Sequence, residues 1–202
     1  MPPDLSFEQA TGGIVCGIDE AGRGPLAGPV VAAAVILPAV LPALLRDQLD
    51  DSKKLSAKKR NALFDVIQAT AIVGIGRAEV DEIDRVNILQ ATFLAMRRAL
   101  DGLGRNVDCA LIDGNQPPPM PCLVQCIVKG DGRSLSIAAA SIIAKVSRDR
   151  LMTALAGEHP GYGWDRNAGY GTLEHRQAIQ RLGITPHHRR SFAPIADLFG
   201  SP

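Results

Sequence analysis

The chain has 202 residues, 46% hydrophobic but only 4% aromatic, and a net charge of +1. Length and composition point to one compact domain with an aliphatic core, and they exclude a fibrous or low-complexity chain. Near-neutral charge excludes a partner choice written in bulk charge alone, so polyanion binding must rest on local clusters. Residues 14–19 are a short apolar run ending in acids, which predicts a first strand. Gly22, Gly24, Pro25, Gly28 and Pro29 predict a turn-rich loop, and the valine- and alanine-rich run 30–37 a second strand. The uncharged stretch 28–45 is interrupted by Pro38 and Pro42, so it is a buried strand and not a membrane span.

Ser56 predicts the N-cap of a helix running to about residue 69, and residues 71–78 a third strand. Leu89, Phe93, Met96 and Leu100 recur at intervals of three and four, which predicts an amphipathic helix over 87–100. Residues 108–112 predict a fourth strand leading into Asp113, Gly114 and Asn115. Prolines at 117–119 and 121 form a stiff connector, and 123–128 a fifth strand ending near Lys129, Gly130 and Asp131. The clearest helix covers 134–152, with Leu135, Ala139, Ile142 and Val146 on one side and Ser134, Ser141, Lys145 and Arg148 in a narrow stripe opposite. After a Gly/Tyr-rich loop, Thr172 and Gly183 bracket a helix over 173–182. Five strands mixed with helices predict an α/β fold with a small helical C-terminal part over about 155–202.

Three acidic sites follow apolar strands: Asp19 with Glu20, Asp113, and Asp131. Sites in α/β sheets gather at strand ends. If these ends converge, four carboxylates repel one another, and hard divalent cations such as Mg²⁺ or Mn²⁺ relieve the repulsion. Two such ions support in-line displacement at phosphorus, the chemistry of phosphodiester hydrolysis. Taken singly, Asp113 reads as the start of a turn and Asp131 as a helix cap. Adjacent acids at the end of the apolar run 16–19 are harder to assign to a turn.

Gly22, Arg23 and Gly24 follow the acid pair, where small residues let backbone approach a ligand closely. Gly22, Gly24 and Ala27 also fit a G-x-G-x-x-G/A dinucleotide fingerprint, which would make the chain an oxidoreductase. That fingerprint needs a helix directly after it, whereas Pro25, Pro29, Val30 and Val31 point to a strand. Three basic clusters stand out: Lys53, Lys54, Lys58, Lys59 and Arg60; Lys145, Arg148 and Arg150; His187, His188, Arg189 and Arg190. Each alone reads as a solvated face, while together they point to a polyanionic partner, either cut or simply bound. Cys16, Cys109, Cys122 and Cys126 form no C-x-x-C motif and read as small thiols in a reducing, cytoplasmic compartment, in keeping with no recognisable signal peptide.

The string GIDEAGRGPLAGPVV at 17–31 resembles the first signature of the ribonuclease HII family. DSKKL at 51–55, DGN at 113–115, KGD at 129–131, SIIAKVSRD at 141–149, GYGT at 169–172 and the region around His175 and Pro186 are similar to its later blocks, in order. The resemblance implies a ribonuclease H-like mixed five-stranded sheet flanked by helices. It also implies cutting of RNA in RNA–DNA hybrids and incision at single ribonucleotides in DNA. By motif, Asp19, Glu20, Asp113 and Asp131 would be the catalytic, metal-binding acids, holding two Mn²⁺ or Mg²⁺ ions with substrate. Gly22, Arg23 and Gly24 would read the 2′-hydroxyl, which separates RNA from DNA. Tyr170 would pack on the neighbouring deoxyribose, and Lys53, Ser141, Lys145 and Arg148 would hold phosphates. The first signature at Gly17 and the aspartate at 131 set the chain apart from ribonuclease HIII. A monomer is expected, and Ala196, Asp197, Leu198 and Phe199 faintly resemble a sliding-clamp-binding peptide.

Overall fold

The computed structural model describes residues 2–198. The run Val30–Ile36 (β2) carries no charge and is β-branched or small throughout, so it suits burial on both faces. It pairs antiparallel with β1 (Val15–Ala21) on one edge and with β3 (Ile72–Ala78) on the other. On its other edge β1 pairs parallel with β4 (Cys109–Asp113), and β4 pairs parallel with β5 (Leu123–Ile127). The result is a mixed five-stranded sheet of order β3-β2-β1-β4-β5.

Period-two alternation gives each strand two apolar faces. Cys16 and Ile18 of β1 and Ala32 and Ala34 of β2 pack against Ala91, Ala95 and Ala99 of α4 (Val80–Asp101). Ala33 and Val35 face the opposite layer, where Ala139, Ile142 and Ile143 of α5 (Leu135–Glu158) meet Leu63 and Ile67 of α3 (Ala57–Thr70). Alanine on both sides of these contacts lets the helices lie close to the sheet. The short helices α1 (Ser6–Thr11) and α2 (Ala43–Gln48) sit at the periphery. Through α1, Glu8 Oε1 accepts from Ser136 N and from the hydroxyls of Ser134 and Ser136 at the start of α5, where a helix favours negative charge. Beyond α5 come α6 (Trp164–Asn167), α7 (Leu173–Leu182) and α8 (Ile195–Leu198). Trp164, Ala178, Ile179 and Ile195 cluster with Met152 of α5 and with Leu26 and Ala27 of the β1–β2 loop. The C-terminal helices therefore grip the loop that follows the first acid pair.

The five strands and the helices at 57–70 and 173–182 lie where the hydrophobic pattern predicts them, with side-chain oxygens of Ser56 and Thr172 capping the helices. Two helices are longer than expected. In α4 a further segment precedes Asn87, whose φ of 69° breaks the helix and whose Oδ1 accepts from Leu89 N and Gln90 N. Its start is set by a Glu79/Glu82 capping box, read equally well as an acidic surface run. Helix α5 continues to Glu158 because no proline interrupts it before Pro160, and the one glycine, Gly157, lies in its last turn. The helices α1, α2, α6 and α8 span only four to six residues, too few for periodicity to register.

Ile142 is fully buried between α5, α3 and the sheet. Ile142→Ala should lower unfolding free energy by about 2–5 kcal/mol in chemical denaturation, the usual cost of a core cavity. A loss below about 1 kcal/mol would contradict this packing.

Candidate active site

Because β1 and β4 run parallel and Ile18 pairs with Ile112, Asp19 and Asp113 leave the sheet side by side at the same edge. In β5, Ile127 pairs with Asp113, and the turn Gly130–Gly132 that follows carries Asp131 back over this edge. Asp113 Oδ1 accepts from Gly130 N at 2.7 Å, tying the strand end to the turn. One carboxylate oxygen from each of Asp19, Asp113 and Asp131 lies within 4.8 Å of the others. Glu20 is adjacent; its Oε1 sits 3.2 Å from Arg23 Nη1, while its Oε2 is buried with no hydrogen-bond partner.

Burial pushes the Asp19 carboxyl well above its ordinary value, and the charges of Glu20 and Asp113 add to the shift. Asp131 is raised in the same way, by burial and then by Asp113 and Asp51. Glu20 is raised chiefly by burial, with Arg23 opposing. The nearest compensating cations are Arg23 and Lys53, the latter 4.0 Å from Asp131 on a side chain 81% exposed to water. Three converging carboxylates with Glu20 beside them, against Arg23 and the exposed Lys53, leave a deficit of positive charge. The donor set is all oxygen, one donor is buried without a partner, and the acids crowd one point. These residues fit hard divalent cations.

A cleft beside the acids is lined by Asp19, Glu20, Gly22, Arg23, Gly24, Lys53, Ser141, Lys145, Arg148 and Tyr170, so the structure gathers every expected substrate-side residue in one place. A second depression shares Lys53 with it and continues past Asp51, Asp113 and Asp131. Tyr170 is 46% exposed and lies beside Gly24.

Arg148 differs from the expected phosphate contact. It is 1% exposed, and its guanidinium donates to the carbonyls of Pro29, Ala27 and Ala168. The polar stripe of α5 is therefore not a wet side: Ser141 is also buried, donating to Ser52 Oγ at 2.7 Å, and only Lys145 is partly exposed. Helical spacing placed these groups together but not what covers them. Arg189, read in sequence as part of a basic cluster, is likewise fully buried and donates to the carbonyls of Gly22, Arg23 and Gly28. Burial, with the nearby Arg148 charge, presses its pKa down to about 9, which leaves it protonated at neutral pH. The two arginines brace the glycine loop from beneath. Gly22 has φ +97°, and a Cβ there would meet Arg148 Nε at 2.0 Å, so both backbone and packing require glycine.

Tyr170 is braced from the other side. His175 Nδ1 donates to the Tyr170 carbonyl at 2.9 Å, which leaves Nε2 to accept from Trp164 Nε1 at 2.9 Å and from His188 Nε2 at 3.2 Å. His188 Nδ1 accepts from Thr185 N. This network requires both rings neutral, and burial holds His188 down to about 4. His188 and Arg189 of the third basic cluster are thus internal, while Arg190 is exposed. Sequence reading missed Asp51, Ser52, Arg189 and the His175–His188–Trp164 network as site elements. The block at 51–55 carried Asp51 and Ser52 and the last block His175, whereas Trp164 lay in no block, since burial of a polar side chain has no periodic signature. Cys16 and Cys109 are buried as expected, all four thiols are free, and no helix of the described residues is long and apolar enough to cross a membrane. In the tail, Ile195 is buried, and Phe199 lies outside the described residues.

A family model for ribonuclease HII matches residues 16–195. The chain is 68% identical over 195 residues to the ribonuclease HII of Paramagnetospirillum magneticum, covering 96% of this chain and 97% of that relative. Among solved structures it is similar to the ribonuclease H2 of Pyrococcus horikoshii, with a TM-score of 0.76 and 26% identity over 91% of this chain and 96% of that one. It is also similar to a chain from the complex of PCNA with ribonuclease HII of Archaeoglobus fulgidus, with a TM-score of 0.74 and 25% identity over 87% and 93%. The sheet is that of the ribonuclease H fold, and the chain belongs to the ribonuclease HII family, nucleases that cut RNA within hybrids.

Proposed function

We propose that this chain incises duplex DNA on the 5′ side of a single embedded ribonucleotide, as well as the RNA strand of longer hybrids, leaving 3′-hydroxyl and 5′-phosphate ends. The observation that carries this reading is the convergence of Asp19, Asp113 and Asp131 within 4.8 Å beside a braced glycine loop. Asp19, Glu20, Asp113 and Asp131 hold two Mg²⁺ or Mn²⁺ ions when substrate is bound. Such ions activate the attacking water and offset charge on the leaving 3′-oxygen.

The protein's own part is placement. Gly22, Arg23 and Gly24 present backbone to the 2′-hydroxyl, and Arg189 keeps them there through the Gly22 and Arg23 carbonyls. Tyr170 packs on the deoxyribose of the next nucleotide, with its backbone fixed by His175. Lys53 and Lys145 contact phosphates, and Ser141 is set by its bond to Ser52. Arg148 acts as a positioning residue, because its guanidinium nitrogens are already engaged with carbonyls. The helical part over 155–202 serves as the substrate-binding extension. Free thiols fit a cytoplasmic setting, and the chain acts as a monomer. A sliding clamp is a candidate partner by similarity to the Archaeoglobus protein in its PCNA complex.

The direct test is a duplex carrying one ribonucleotide, incubated with and without Mg²⁺. Cutting 5′ of the ribonucleotide is expected only with the metal, and Asp19→Asn should abolish it while keeping the fold. Full activity of that variant, or retained nicotinamide cofactor in place of cutting, would overturn the reading. Arg189→Lys should lower kcat/KM on this substrate by about tenfold or more, since one ammonium cannot span three carbonyls. Its response to Mg²⁺ should remain, as thermal shift can check.

Asp19 also predicts a pH dependence. Its folded pKa lies above the ordinary 3.8, so in metal-free protein its contribution to stability is present at low pH and lost as pH rises through the folded value. Melting in EDTA should therefore find Asp19→Asn more stable than wild type at neutral pH, with the gap widening from pH 3.8 upward. A gap that narrows with rising pH would contradict burial of this charge.

A further inference from the structure

Away from the carboxylate cluster, the C-terminal end of α5 meets the turn that precedes Arg189. Glu158 is the last helical residue, His159 is the C-cap, and His187 lies in the turn. One ligand atom from each lies within 4.8 Å of the others. The two imidazoles are 5.0 Å apart between centroids, and each meets the fully buried Trp164 ring edge-on. Among the described residues, neither ring forms a hydrogen bond, nor does the Glu158 carboxylate form a hydrogen bond or ion pair. Their donor atoms thus converge with no other partner.

The electrostatics point the same way. A 24-residue helix ends here on its negative pole, its last turn carries no basic residue, and Glu158 adds a further negative charge. Glu79 also acts on His187, though Arg77 already pairs with its carboxylate at 2.6 Å. Two imidazoles and one carboxylate form a ligand set for borderline ions, with a fourth position left for water, in contrast to the all-oxygen active site.

We propose that Glu158, His159 and His187 bind a divalent cation of the zinc class, separate from the catalytic ions. The ion clamps the end of α5 to the turn. The His187 carbonyl accepts from Gly28 N at 2.8 Å, and Arg189, two residues on, holds Gly22, Arg23 and Gly28. The clamp thereby fastens the segment that braces the glycine loop.

The test is calorimetric titration of Zn²⁺ into the full-length protein with Mg²⁺ in large excess, alongside thermal unfolding. One Zn²⁺ per chain and a raised Tm are expected. His159→Gln and His187→Gln should each weaken Zn²⁺ binding by about tenfold or more and remove the Tm rise. The His187 carbonyl contact survives that substitution. If His187→Gln fails to fold, Glu158→Gln at the exposed helix end replaces it, judged by the same loss. Zn²⁺ binding unchanged in these variants, or binding that Mg²⁺ fully displaces, overturns the proposal.

Discussion

Parallel pairing of β1 with β4, and of β4 with β5, is the constraint from which the rest of the site follows. Parallel strands end at the same edge, so acids at the ends of β1 and β4, and just beyond β5, must meet. Their meeting is electrostatically unfavourable, and nothing local relieves it fully: Lys53 and Arg23 are exposed and loosely placed. The strain is carried by the layers on both faces of the sheet, where alanines and β-branched residues pack α4 and α5 against β1 and β2. A sheet held this firmly can keep like charges together until cations arrive.

A second constraint concerns the glycine loop. Loops that approach a ligand need exposed backbone, and exposed backbone is mobile unless something holds it. Here Arg148 and Arg189 lie beneath the loop with their guanidinium groups spread over backbone carbonyls at Gly22, Arg23, Ala27, Gly28 and Pro29. Two buried cations side by side repel each other, yet carbonyl oxygens surround them. The C-terminal helices complete the arrangement by packing Trp164, Ile179 and Ile195 on Leu26 and Ala27. Catalytic edge and recognition loop are thus built by different parts of the chain and joined at residues 19–24.

Much of this was legible in the sequence, for physical reasons. Apolar strands of five to seven residues bounded by glycine, proline or acid announce themselves, and the acid pair after 14–18 is conspicuous because charge follows an apolar run. The motif blocks contain Asp113, Asp131, Lys53, Ser141, Lys145 and Tyr170. Burial of polar groups was not legible. Arg148 and Arg189 sit in segments whose composition suits a wet surface, and only tertiary contact shows that carbonyls, not solvent, satisfy them. The His175–His188 pair was invisible for the same reason: its residues are 13 apart, and their tautomers are set by Tyr170, Trp164 and Thr185. The break at Asn87 depends on a left-handed backbone that periodicity cannot report.

The claim beneath the whole account is that the sheet edge gathers acids into a cation site. Anomalous diffraction from crystals soaked in Mn²⁺ measures this directly. The account predicts a peak bounded by oxygens of Asp19, Asp113 and Asp131. A Mn²⁺ peak elsewhere on the protein, with that edge empty at saturating metal, would contradict it.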